Sequence, residues 1–302
     1  MTSGSASHHG VSPAVLVGAI AALSVAVTMQ MIRDRTYPAE SVRAERYMYV
    51  QSPQAIGRMA LAFDAVAADV YWIRAIQHYG GDRLTRSITD TRYELLYPLL
   101  DITTTLDPYF NIAYRFGAIF LSEPYPGGAG RPDLAIALLR KGIAARPTKW
   151  EYYHDIAFIH YWSLGDYKAA ADWFHRAAMQ PNAPEWLLPV AASMLAEGKD
   201  RAAARKIWTE LLRADEDWVR KRAARALVQL DTMDWIDKIA AQIAKAPPLK
   251  EPFSWSALAR AGVLAGVPVD HAGTPLEIDP ITGAIIVART SPLFPMPRGL
   301  RR

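Results

Sequence analysis

The chain has 302 residues, 51% of them hydrophobic and 21% charged, which is enough to bury a sizeable core or to stack several repeats. It contains no cysteine, which excludes disulfides, thiolate metal sites, a cysteine nucleophile and a lipid-modified N-terminal cysteine. The net charge of +4 is mild for this length, and no Lys/Arg run carries interleaved aromatics, so nucleic acid is not an expected partner.

Residues 1–10 read as a short tail. Residues 11–32, VSPAVLVGAIAALSVAVTMQMI, carry no charged side chain. A helix rising about 1.5 Å per residue crosses the ~30 Å hydrocarbon layer over that length, and Pro13 fits a first helical turn. The tail has no Lys or Arg and so lacks the basic segment of a cleaved signal peptide. A single uncleaved transmembrane helix is therefore expected. Arg33, Arg35, Arg43 and Arg46 follow it, and the positive-inside rule then favours the cytoplasm for the rest of the chain. Residues 33–56, with Pro38 and Pro53, read as a charged connector.

Helical patterning covers 57–246. The run 59–80 is apolar on most faces, and Gly80-Gly81 is expected to stop it. A helix over 90–106 is expected to bend at Pro98 and to end at Asp107-Pro108. Residues 109–122 form the next helix, followed by the Pro- and Gly-rich loop SEPYPGGAGR. Asp133 is placed to cap a helix over 133–145, which Arg146-Pro147 closes. A helix through Tyr153 and His160, a turn at Leu164-Gly165-Asp166-Tyr167 and a helix over 168–179 make the clearest pair. Residues 185–197 and 200–214 make another, and 217–231 with 233–246 a closing pair. Arg220, Lys221, Arg222 and Arg225 suit the wet outer face of a terminal cap. Residues 247–302, after Pro247-Pro248, read as an extension. A short helix over 254–261 precedes a β-hairpin turning at Thr282-Gly283, between 276–278 and 285–287. The last prolines force an extended end, and Arg298, Arg301 and Arg302 read as a solvated tail.

A repeat runs through the middle of the chain. Ala170-x-x-x-Phe174, with Ala177 and Pro181, is echoed by Ala135-x-x-x-Leu139 with Gly142 and Pro147. It is echoed again by Ala204-x-x-x-Trp208 with Leu211, at steps of 35 and 34 residues. That period, together with Phe116-Gly117-x-x-Phe120, resembles the tetratricopeptide-repeat family over 90–216. Leu139 and Trp208 stand where that family usually has Phe or Tyr, His160 replaces a Tyr, and Asp215-Glu216-Asp217 stands in place of a proline. The whole layout is similar to membrane-anchored bacterial proteins of this kind, in which a segment like 68–77 precedes the repeats and an Asp-Pro-x-x-Gly hairpin such as 279–283 ends them. The resemblance implies an all-α fold: an α-solenoid of helical hairpins behind a transmembrane helix, with a small β-hairpin extension. It implies a single-pass protein of the bacterial inner membrane and a scaffold or adaptor in a secretion, pilus-like or polymer-export assembly. By the same analogy the first helix of each hairpin lines a concave groove. Tyr114, Glu151, His154, Phe158, Tyr161 and Ser193 then line it and take a protein partner or peptide segment. Self-association through the closing helices is a further reading.

Chemistry is sparse. Asp64, Asp69 and Arg74 lie in a strongly apolar helix, where a buried charge needs a partner, so Asp69 and Arg74 are expected to form a structural ion pair. Glu151-x-x-His154, beside Asp155, resembles half of a di-metal carboxylate site, but no second copy of that motif occurs. A metal-binding enzyme, or an accessory subunit of a membrane enzyme, using this cluster is the alternative to the scaffold. No Gly-x-Ser-x-Gly, Walker loop or dinucleotide glycine motif occurs, and Gly127-Gly128-Ala129-Gly130 follows no strand. No cofactor, metal or enzymatic activity is expected. The nine tryptophans are expected mostly between helices.

Overall fold

A computed structural model describes residues 13–36, 52–84, 93–246 and 253–297, and the chain divides into two units, Met1–Gln51 and Ser52–Arg302. The described residues are mostly helical, with a single two-stranded sheet. The tail 1–10, residues 37–51 of the connector, the start of the expected 90–106 helix, Pro247-Pro248 and the three C-terminal arginines lie outside the described residues.

In the first unit α1 runs Pro13–Thr36. Its side chains from 17 to 32 are exposed, and its hydroxyls bond within the helix: Ser24 Oγ donates to the Ile20 carbonyl (2.9 Å) and Thr28 Oγ1 to that of Ser24 (2.7 Å). Among the described residues no helix is long and apolar enough to cross a membrane.

The second unit opens with α2 (Pro53–Met59), whose N-terminus Ser52 caps by accepting from the Ala55 amide at 3.3 Å. A turn at 60–63 then interrupts the expected 59–80 helix, with Leu61 and Ala62 at φ of 48° and 74°. The helix restarts as α3 (Asp64–Leu84) and, against expectation, runs through Gly80-Gly81. Two helical glycines cost roughly 1 kcal/mol each. Contacts of the last turn offset that cost: Asp82 accepts from the Tyr93 amide at 2.6 Å, and Arg83 and Tyr79 both bond Glu123. In α4 (Leu96–Leu106), Pro98 falls in the first turn, where its missing N–H has no helical acceptor to lose.

Six helices follow in pairs: α5 (Asn111–Ser122) with α6 (Pro132–Ala145), α7 (Trp150–Trp162) with α8 (Tyr167–Ala178), and α9 (Leu187–Glu197) with α10 (Arg201–Leu211). Each packs against the helix before and after it, and α5–α7 and α4–α6 also meet. The starts of α8 and α10 are fixed alike: Asp166 accepts from the Ala169 amide at 3.0 Å and Asp200 from that of Ala203 at 3.1 Å. At α6 the expected Asp133 cap is replaced. Pro132 opens the helix without a capping side chain, and Asp133 pairs with Arg131 at 2.6 Å.

The small residues of the repeat are all core. Ala135, Ala170, Ala171, Ala177 and Ala204 are buried, with Phe174 and Trp208 as the large side chains among them. Gly142 shows why a side chain is excluded at its position: a Cβ there meets the Tyr114 ring at 3.0 Å and the Tyr152 ring at 3.1 Å. Both rings are buried and stiff. Gly142→Val is expected to lose about 1–3 kcal/mol by overpacking, read as a lowered midpoint in thermal denaturation.

The expected closing pair is one continuous helix, α11 (Asp217–Ala244). No Gly or Pro lies between 217 and 244, and Thr232, at the expected break, is buried mid-helix. Its expected wet face is covered in part by the C-terminal residues. Ile239 joins Leu276, Val287 and Leu293 in one apolar cluster, with Trp255 of α12 (Trp255–Arg260) against it. Strands β1 (Leu276–Ile278) and β2 (Ile285–Val287) pair antiparallel, with Glu277 opposite Ile286. Asp279 fixes their turn by accepting from the Ile281 and Thr282 amides at 2.8 and 2.9 Å, and Gly283 takes a φ of 69°.

Candidate functional site: an aromatic face on α5 and α7

Two apolar stripes run along α5. Ala113, Tyr114, Gly117, Ala118 and Leu121 form the buried one. Ile112, Phe116 and Ile119, at i, i+4 and i+7, form the other, and all three are exposed. On α7, Phe158 and Trp162 repeat the i, i+4 step, with rings stacked at 6.2 Å and exposures of 47% and 68%. The two helices are fastened at matching levels. Arg115 Nε donates to Asp155 Oδ2 at 2.6 Å and Arg115 Nη2 to Oδ1 at 3.1 Å, and Ser163 Oγ donates to the Ser122 carbonyl at 3.4 Å. Phe120 stacks on Tyr79 of α3 at 4.1 Å and lies 6.3 Å from Trp72, which ties α5 to its other neighbour. The exposed stripes of α5 and α7 thus belong to adjacent helices held in register.

The six residues assigned to a groove by resemblance do not form one set. Tyr114 is fully buried: its hydroxyl donates to the Thr104 carbonyl and its ring lies 5.3 Å from that of Tyr152. It is a core residue, and burial pushes its hydroxyl up to about 12. Phe158 is exposed beside Trp162. Glu151 is drawn to Lys149 (2.6 Å), and His154 Nδ1 lies 2.8 Å from Asp155 Oδ1, its ring edge-on to Phe174 and Trp186. Tyr161 and Ser193 lie together on the wall of a 330 Å³ cavity that Trp208, Arg222, Gln229 and Pro295 also line. Ser193 Oγ donates to the Pro189 carbonyl at 2.9 Å. The far wall is the chain's own C-terminal segment. Gln229 Nε2 donates to the carbonyls of Leu293 (2.6 Å) and Pro295 (2.9 Å), and Arg225 Nη2 to that of Phe294 (2.6 Å).

The expected Asp69–Arg74 pair does not form. Asp69 is exposed, so its charge stays in water and needs no partner. Arg74 lies over the Tyr71 ring instead, 5.5 Å from its centroid. Glu151 pairs with Lys149 and His154 with Asp155, and among the described residues no three His, Asp or Glu side chains gather as a metal site requires. Among the tryptophans only Trp208 is fully buried, while Trp162, Trp186, Trp218 and Trp235 are exposed.

The Arg115–Asp155–His154 group is the charged cluster that joins α5 to α7. Burial pushes the Asp155 carboxyl up, but the bonds from His154 and Arg115 outweigh burial and hold it below the usual carboxylate range. A carboxyl held low in the fold contributes stability above its unfolded value of about 3.9. It loses that contribution as pH falls through the folded value, because the unfolded state then binds the proton more readily. Arg115→Ala removes the guanidinium, so the carboxyl rises and the acid loss begins at higher pH. With Arg115 partly exposed, the expected cost at pH 7 is about 1–2 kcal/mol, measured by denaturant melts at neutral and acid pH.

No family model matches this chain, and no curated protein or solved structure was found to match it.

Proposed function

We propose that this chain is a membrane-anchored scaffold of tetratricopeptide-like helical hairpins that holds an apolar segment of a partner protein on α5 and α7. The reading rests above all on the second apolar stripe, Ile112, Phe116, Ile119, Phe158 and Trp162, on helices that already bury a first. A soluble helix that packs on one side normally turns a polar face outward. Contiguous exposed aromatics at helical spacing are the usual mark of a surface completed by another molecule. The 34- to 35-residue period and the neighbour-to-neighbour packing of α5 to α11 support a solenoid, in which first helices share one face. Residues 11–32 supply the anchor, and the arginines after them favour the cytoplasmic side.

Two measurements test the proposal. Alkaline carbonate should leave the full chain in the membrane pellet; release to the supernatant refutes the anchor. Co-purification from detergent-solubilised membranes should lose its partner when Phe158 and Trp162 are both alanine; an unchanged set of partners refutes the groove.

A further inference from the structure

The turn between α2 and α3 holds its largest side chains outward. Met59, Leu61 and Phe63 are 70%, 79% and 68% exposed. Leu61 and Ala62 take positive φ, a conformation that a water-facing turn ordinarily gives to Gly, Asn or Asp. Amides on either side of the turn are hydrogen-bonded: that of Ala60 donates to the Ile56 carbonyl (2.8 Å), that of Phe63 to Ala60 (2.8 Å) and that of Ala67 to Phe63 (3.0 Å). The apolar surface continues along α3 through Val66, Val70 and Ile73, at i, i+4 and i+7. The opposite side of the helix buries Ala68, Ala75 and Asp82 against the protein. Among the described residues nothing covers the outer stripe. It lies on the first long helix of the second unit.

We propose that the 59–63 turn and the outer stripe of α3 seat in the interfacial layer of a lipid bilayer. This rests on the reading of residues 11–32 as an anchor, because the chain itself then delivers the occupant. Residues 37–51 extend to about 50 Å at most, which would keep α2 within that reach of the bilayer surface. A helix lying in the interface buries an apolar stripe about 5–10 Å deep and keeps its polar groups at the edge. Here exposed Arg58 and Asp69 flank the apolar side chains. Two leucine-sized side chains and a phenyl ring held outward suit fluid acyl chains, which fit around any shape.

The chain has no cysteine, so single-cysteine variants of the full protein report one position each. Leu61→Cys, Val66→Cys, Val25→Cys in α1 and Lys168→Cys, exposed on α8, are labelled with an environment-sensitive fluorophore. They are reconstituted into phosphatidylcholine–phosphatidylglycerol vesicles with or without nitroxide-labelled lipid. Thermal melts equal to wild type establish that each variant is folded. Labels at 61 and 66 are expected to brighten several-fold and to be quenched by the nitroxide lipid, while the label at 168 is quenched only by aqueous iodide. A label at 25 in lipid with 61 and 66 in water overturns the interface, leaves the anchor standing and assigns the stripe to a protein. Labels at 61 and 66 in lipid with 25 in water uphold the interface and overturn the anchor. All positions in water overturn both.

Discussion

Trp208→Ala is expected to cost about 3–5 kcal/mol, the largest stability loss of any single substitution proposed for this chain. Trp208 is the largest fully buried side chain, held among Ala192, Ala204, Leu211, Val219 and Ala226 where α9, α10 and α11 meet. Those neighbours are mostly alanines on rigid helices and cannot collapse into the space. The adjoining 330 Å³ cavity, which Trp208 also lines, would widen rather than close. A loss of that size is a large share of the roughly 5–15 kcal/mol that a domain has in total. It corresponds to a drop in Tm of roughly 6–20 °C for a unit of this length. Trp208→Phe keeps a ring in place and is expected to lose clearly less. Calorimetry on the two variants checks the order; equal melting would mean that α10 and α11 do not depend on this side chain for their contact.

Replacing Phe158 and Trp162 together by alanine is expected to weaken partner binding by a hundredfold or more while leaving Tm within a few degrees. Both rings are exposed, so their removal leaves no cavity in the core. Aromatic hot spots cost about 2 kcal/mol or more each on truncation, and two such losses approach a thousandfold when independent. The rings stack on each other, so their losses are not independent and the expected factor is the smaller one. Phe116→Ala on α5 should add to the loss, whereas Tyr161→Ala, at the cavity by the C-terminal segment, should affect binding less. Titration calorimetry with the purified partner measures the first effect and differential scanning calorimetry the second.

Much of the local architecture could be read from residue types, and most of the site could not. The turn through Gly165-Asp166 and the start at Asp200 are legible because their signals are local: a residue at positive φ, or a side chain reaching three residues ahead. Tyr114 was misplaced for a definite reason. On α5, apolar residues occupy both the core side and the outer side, so periodicity supplies no phase to separate Tyr114 from Phe116. A second i, i+4, i+7 set, Ile112, Phe116 and Ile119, is the signal that could have found the exposed face. Gly80-Gly81 does not act as a boundary because a contact made elsewhere, Asp82 on Tyr93, holds the last turn, and residue 232 does not because neither Gly nor Pro interrupts 217–244. The Arg115–Asp155 pair and the hold of Gln229 on the C-terminal carbonyls join residues 40 and 64 to 66 apart. No short-range pattern encodes them.

Site-specific photocrosslinking in native membranes tests most directly whether the α5–α7 face holds a partner. A photoreactive amino acid at Phe116, Phe158 or Trp162 of the full chain should give one discrete adduct, the same protein from all three positions, and none from Lys168 on α8. No adduct at the three aromatic positions, or equal adducts at Lys168, would contradict the account.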